Sequence, residues 1–441
     1  MFNRTIVWFL GAGLMAGAVF AAEPQRLPGE NPNPVHLNRP PVQPLSGMAK
    51  LGREIFYDTS LSSSGKMACA SCHSPDHAYG PPNDGPVVLG GPDLTRPGMR
   101  AVPSLTYLER QPDFSIGPDD RENETVTLAQ MAQVGQSAKR TKKTAKQTDQ
   151  SAVNIVPQGG LFWDGRADTL QMQASGPLLD PREMDGGSIE IIAEKLRHAP
   201  YANKFTALFG ENIFTNPNLL VAEATFAIGR YQIEEPTFHP YTSKYDYWLE
   251  GKARLSDSEM RGYILFNDQE KANCGGCHIS QPTRNGFPPV FTDTQYEALG
   301  APRNLALADT KDPGYFDLGT CGPVRKDIGE QTQFCGMFKT PTLRNTAVRR
   351  AFFHNGVFQT LQQVMDFYNF RDTNPEKVYP LGADGKAEKY NDIPVKYHAN
   401  VDVSDPPFDR QPGETPAMTE QDEADIIAFL KTLTDGYKPQ E

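Results

Sequence analysis

At 441 residues and with an ordinary globular composition, the chain is long enough for two modest domains, or more if the domains are small. A formal net charge of −11 argues against nucleic acid, which selects a basic face, and leaves docking to a basic partner open. Gly and Pro number 38 each, so long loops are expected.

In chain order, Arg4 precedes an apolar run from Ile6 to Phe20, and Val19-Phe20-Ala21 forms a small-residue cleavage pattern ahead of Ala22-Glu23-Pro24. Residues 1–21 read as a secretory signal peptide; an uncleaved membrane anchor is the alternative, although the run is short and wrongly flanked for a stable span. No later segment is apolar for long enough to cross a bilayer. A soluble protein in an oxidising compartment, most simply the periplasm, is therefore expected. Met48, Leu51 and Ile55 share one face of a predicted helix that leads into Cys69-Ala70-Ser71-Cys72-His73. Residues 109–156 are polar, hold Lys139-Arg140-Thr141-Lys142-Lys143 and show no sustained period. They predict a long, partly disordered insertion, its basic run a solvated loop rather than a binding patch.

The second half repeats the first. Ser256-x-x-Glu259 is a capping box, and Met260, Tyr263 and Ile264 mark the inward face of a helix leading into Cys274-Gly275-Gly276-Cys277-His278. Leu51-Gly52-Arg53-Glu54-Ile55-Phe56-Tyr57-Asp58 and Arg261-Gly262-Tyr263-Ile264-Leu265-Phe266-Asn267-Asp268 share Gly, Phe and Asp at matching offsets. Thr419-x-x-Asp422 then opens a terminal helix with Ile426, Ile427, Leu430 and Leu433 inward. The expected fold is mainly α: two tandem cytochrome c-like domains with long loops, over residues 22–250 and 251–441.

Cys-x-x-Cys-His is the attachment signature of c-type haem. Two thiols add to two vinyl groups on one porphyrin edge, and a two-residue spacer lets one helical turn reach both. The adjacent His then ligates the iron. A redox Cys-x-x-Cys needs no following His. A zinc site needs four ligands, and the two pairs lie 205 residues apart. Two covalent haems, on Cys69, Cys72, His73 and on Cys274, Cys277, His278, are expected. The remaining pair, Cys321 and Cys335, suggests a disulfide in an exported protein, with two buried free thiols as the alternative.

Further stretches resemble the bacterial dihaem cytochrome c peroxidase family, in its MauG-like branch. They are Phe162-Trp163-Asp164-Gly165-Arg166-Ala167, Gln173-Ala174, Gly176-Pro177, Glu183-Met184, Lys339-Thr340-Pro341-Thr342-Leu343-Arg344-Asn345 and Phe353-His354-Asn355-Gly356. The resemblance spans most of the chain outside 1–21 and 109–156. It implies a haem-dependent enzyme in which the first haem reacts with hydrogen peroxide and the second accepts electrons. The donor would be a small redox protein, a cytochrome c or cupredoxin, or oxidisable residues of a partner protein, by way of a high-valent dihaem state. Trp163 would stand between the haems, with Glu183 over the first and Gln173 nearby. A non-enzymatic dihaem carrier is the rival reading.

Three positions depart from the family pattern or choose within it. Where members that need reductive activation carry a removable distal His, this chain has Leu89, and residues 81–92 hold no His. The first iron is thus expected to be open. The Asn of the family's interhaem Ca²⁺ site is replaced by Ala101, and its carbonyl-donating stretch reads Arg349-Arg350-Ala351, so calcium is possible but disfavoured. Fourteen residues after His354, where ordinary members place a Met ligand to the second iron, stands Tyr368. Leu361, Met365 and Tyr368 share a helix face, which leaves Met365 as the rival ligand.

Overall fold

The computed structural model describes residues 28–118 and 155–439. Its regular elements are mostly helical. They are α1 (Gly47–Phe56), α2 (Cys69–Cys72), α3 (Leu170–Leu179), α4 (Ile189–Arg197), α5 (Ala202–Phe209), α6 (Pro217–Glu234), α7 (Lys244–Leu249), α8 (Asp257–Phe266), α9 (Cys274–Cys277), α10 (Leu361–Phe370) and α11 (Glu420–Lys431). Three small antiparallel pairs complete them: β1 (Leu89–Gly90) with β2 (Arg96–Pro97), β3 (Ser115–Pro118) with β4 (Ile155–Gln158), and β5 (Tyr296–Glu297) with β6 (Phe338–Lys339). No described helix is long and apolar enough to cross a membrane.

Helix starts follow their caps. Ser46 accepts from Ala49 N–H at the head of α1, and capping boxes at Ser256/Glu259 and Thr419/Asp422 open α8 and α11. The recurrent glycine now has a cause. A Cβ on Gly52 of α1 would stand 1.8 Å from the Ala227 carbonyl oxygen of α6, and one on Gly262 of α8 would stand 1.9 Å from that of Asp425 in α11. The helix leading into each Cys-x-x-Cys-His motif therefore crosses a later helix backbone to backbone, which only glycine permits.

Among the described residues two large apolar cores result, beside two small clusters. The first gathers Leu51, Phe56, Phe205, Leu220 and Phe238; the second gathers Tyr245, Trp248, Phe266, Phe291 and Phe429. The cores divide the chain between Phe238 and Tyr245 rather than at 250, because α7 already turns Tyr245, Trp248 and Leu249 into the second. The N-terminal stretch also departs from the expected division. Leu37 sits in the second core. Val35 N–H donates to Leu249 O, Leu255 N–H to Gly29 O and Asn38 N–H to Gly286 O, so residues 29–38 strap across the second lobe.

Both ends of the expected insertion 109–156 carry structure, and residues 119–154 lie outside the described residues. Residues 109–118 are described, and β3 pairs with β4 from Ser115↔Gln158 to Pro118↔Ile155. Gly117, Pro118 and Pro157 deny this pair an alternating pattern, which is why its sequence reads as loop. The signal segment 1–21 and the run Lys139–Lys143 lie outside the described residues.

Candidate active site

Each Cys-x-x-Cys is a single helical turn closed by the following His: His73 N–H donates to Cys69 O and His278 N–H to Cys274 O, both at 2.9 Å. The turn sets both thiols on one side, three residues apart. The imidazoles are oriented by carbonyls. His73 Nδ1 lies 3.0 Å from Tyr79 O, and His278 Nδ1 lies 2.9 Å from Phe291 O. This contact selects the tautomer protonated at Nδ1 and leaves each Nε2 lone pair for a metal. Burial lowers the pKa of each imidazole to about 4. Two thiols and an oriented neutral imidazole at the wall of a cavity fit a covalent haem, twice over.

The cavity at the first motif is lined by Cys69, Cys72, His73, Trp163, Gln173 and Glu183. Glu183 reaches it from the turn after α3. Its N–H donates to Asp180 O at 3.0 Å, and its carbonyl accepts from Gly91 N–H at 2.8 Å. Neighbouring Gly90 allows this approach, since a Cβ there would lie 2.6 Å from Glu183 O. Burial pushes the Glu183 carboxyl up to about 7; Asp180 adds to the push and Arg166 offsets part of it. The carboxyl is near enough to the Cys69 thiol to help burial raise that group to about 12. Leu89 is 50% exposed and is not among the residues that line this cavity, although its neighbours Val88 and Gly90 are.

The second cavity is lined by Cys274, Cys277, His278, Met365, Tyr368 and Trp163. Trp163 and Gln173 thus border both cavities. The indole N–H of Trp163 donates to Ala101 O at 2.8 Å. The tight loop carrying it needs Gly165, at φ +69°, where a Cβ would stand 2.1 Å from the Tyr296 hydroxyl. Asp164, next to the tryptophan, is fully buried between Arg100 and Arg166. On α10, Met365 is buried in the second core while Tyr368 is half-buried and stacked on Phe408, with centroids 5.3 Å apart. Burial pushes the Tyr368 phenol above its usual range, and the Cys274 and Cys277 thiols add to this. Both rival ligands therefore face the same cavity. Cys321 and Cys335 form a disulfide with Cα atoms 5.0 Å apart, just ahead of β6, whose Phe338 and Lys339 line this cavity.

The comparisons with known proteins agree with this geometry. The methylamine utilization protein MauG of Paracoccus denitrificans is 30% identical over 404 residues, covering 89% of this chain and 90% of that protein. The family model for di-haem cytochrome c peroxidase matches residues 46–254. The chain belongs to the MauG-like dihaem cytochrome c peroxidase family. It is a haem-dependent oxidoreductase. The cytochrome c551 peroxidase of Nitrosomonas europaea is 28% identical over 83% of this chain and 84% of its own length. The crystal structure of the diheme peroxidase BthA from Burkholderia thailandensis superposes with a TM-score of 0.75 at 33% identity, covering 93% of this chain and 94% of that one.

Several residues of this peroxidase carry no motif of their own. Arg349 Nη2 donates to Val102 O at 3.0 Å and to Ala351 O at 3.3 Å, placing a guanidinium beside Ala101. Burial lowers its pKa to about 10. Asp317, Asp392 and Met99 also border the cavities. Asp317 and Asp392 lie in irregular loops, where no periodicity or spacing marks a functional side chain.

Proposed function

We propose that this protein is an exported, periplasmic peroxidase that reduces hydrogen peroxide at the first site. Its electrons enter at the second site, from a small redox protein or from oxidisable residues of a partner protein. The two lobes are read as tandem cytochrome c folds, a reading supported by the glycine crossing that recurs in each. His73 and His278 would hold the two haem irons, and Tyr368, ahead of Met365, would be the second protein ligand at the second site. When bound, the haems supply the redox chemistry.

The protein's own part is to place peroxide, move one proton and connect the two sites. Glu183 takes the proton from one peroxide oxygen and returns it to the other, which leaves as water as the O–O bond breaks; two electrons from the donor and two solvent protons reduce the remaining oxygen to a second water. A carboxyl titrating near neutral pH suits both halves of that transfer. Gln173, on the same wall, positions the peroxide by hydrogen bonding. Trp163 borders both cavities and offers an aromatic step between them. The Ala101 carbonyl holds the indole proton and fixes the ring.

The observation that carries this reading is the lining of the cavity at the first motif. It presents a carboxyl, and among the described residues His73 is the only histidine lining that cavity. One feature favours the rival reading, a non-enzymatic carrier: Met99 is a half-buried thioether lining the same cavity. Electron paramagnetic resonance of the ferric protein separates the two. A high-spin signal, unchanged in Met99→Leu, supports the peroxidase. Two low-spin haems, one becoming high-spin in Met99→Leu, would make the protein a carrier.

A further inference from the structure

The second cavity contains a titratable cluster that peroxide chemistry leaves unused. His354 is only 6% exposed, and its ring lies flat on Phe338, with centroids 3.5 Å apart and planes 8° apart. Its Nε2 is buried without a hydrogen-bond partner among the described residues. The nearest acid is Asp392, whose Oδ2 stands 3.9 Å from that nitrogen, too far for a hydrogen bond and close enough for charge coupling. Both side chains line the cavity that holds Cys274, Cys277 and His278. Leaving a buried imidazole nitrogen unpartnered costs roughly 1–3 kcal/mol, so its persistence needs a reason.

The surroundings decide where a proton would sit. Asp392 receives a hydrogen bond from Asn355 Nδ2 at 3.2 Å and faces the Arg303 guanidinium at 3.3 Å. Asp317 lies near both members of the pair, but its charge is tied to Arg100, which also binds Asp164. Phe338 contributes no charge. Burial pushes the Asp392 carboxyl up to about 7, against the pull of Asn355 and Arg303, while burial lowers the His354 pKa to about 4. Near neutral pH the pair therefore has an open imidazole nitrogen and a carboxyl that is about half protonated.

We propose that His354 and Asp392 hold one exchangeable proton whose uptake is coupled to electron entry at the second haem site. One electron enters from the donor and one solvent proton binds the Asp392 carboxyl, so the buried cavity gains no net charge. His354 Nε2 faces that carboxyl from 3.9 Å, and its neutral imidazole sets the charge against which Asp392 titrates. Both are positioning residues that act through the charge of the site. The inference rests on the second site being a redox centre, and it is independent of how the first site treats peroxide.

The test is spectroelectrochemical titration of the intact dihaem protein without peroxide, at pH values from about 6 to 8. In the wild type the reduction equilibrium of the second haem should weaken with rising pH, approaching about tenfold per pH unit. Asp392→Asn should flatten that dependence and leave the slope of the first haem unchanged. His354→Gln keeps a polar side chain beside Asp392 but removes the titratable imidazole, and should move the pH window of the slope with both haems still attached. A flat wild-type titration, or an Asp392→Asn protein with the wild-type slope, would overturn the proposal. Because peroxide is absent, that failure is distinct from failure of the peroxidase reading, which the ferric resonance spectrum decides.

Discussion

Replacing Glu183 with Gln is the sharpest perturbation of the first site. The substitution preserves side-chain volume and hydrogen-bonding capacity at the cavity wall, and removes only the ability to take and return a proton. With the carboxyl pushed up to about 7, near half the wild-type protein holds the ionised, proton-accepting form at neutral pH. The rate constant for reaction with peroxide should therefore rise with pH through about 7 and level off above it. Below that point the carboxyl is protonated and accepts nothing. In Glu183→Gln the rate should drop by roughly 10²–10⁴-fold and lose this inflection. That corresponds to about 3–5 kcal/mol added to the barrier. Stopped-flow mixing with hydrogen peroxide across pH measures both quantities, and pyridine haemochrome content confirms two attached haems. A variant with the wild-type rate, or a wild-type profile without an inflection near neutrality, would refute the assignment.

The other expectations concern ligation, the staple, the buried ion pair and the interlobe cation. With Tyr368 as ligand, the ferric protein should lack a near-infrared sulfur-to-iron band and Tyr368→Phe should change the second haem's spectrum alone; a band abolished by Met365→Leu would reassign the ligand. The Cys321–Cys335 bridge closes a loop of separation 14 and contributes on the order of 3 kcal/mol through loop-closure entropy. Denatured, unreduced protein should accordingly show no reactive thiol from either residue. Arg344 and Asp246 are both fully buried and joined by hydrogen bonds of 2.9 and 2.7 Å. Asp246→Ala would strand that guanidinium and should cost about 3–5 kcal/mol in urea unfolding followed by circular dichroism, and a loss below about 1 kcal/mol would contradict this. Arg349 already supplies a positive charge to the Val102 and Ala351 carbonyls. Prolonged chelator dialysis should therefore leave both haem spectra unchanged; a spectral change reversed by Ca²⁺ would show a site the arginine does not replace.

What could be read from the sequence was whatever covalent or helical geometry ties to fixed spacing. Haem attachment demands Cys, Cys and His within five positions, so both motifs announce themselves. The recurrence of Gly52 and Gly262 was visible, but its cause was not, because the Ala227 and Asp425 carbonyls that the glycines touch lie far along the chain. The β3–β4 pair escaped notice because prolines and a glycine break its alternation. Residues 29–38 escaped for a different reason: they bind largely through backbone hydrogen bonds, which no side-chain pattern records. His354 appeared within a motif, but Asp392 and Asp317 come from loops that only the folded chain brings to the same cavity.

That strap orders the events of folding. Asn31 bonds to the Leu249 carbonyl, a partner 218 positions later. A contact of such sequence separation repays the entropy of loop closure only after the intervening chain is organised. The leading end must therefore wait for the trailing half, and the strap acts as a latch that closes last. Until it closes, the second lobe lacks the edge that residues 29–38 supply, with the Leu249 and Gly286 carbonyls unpartnered by the strap and Leu37 outside the core.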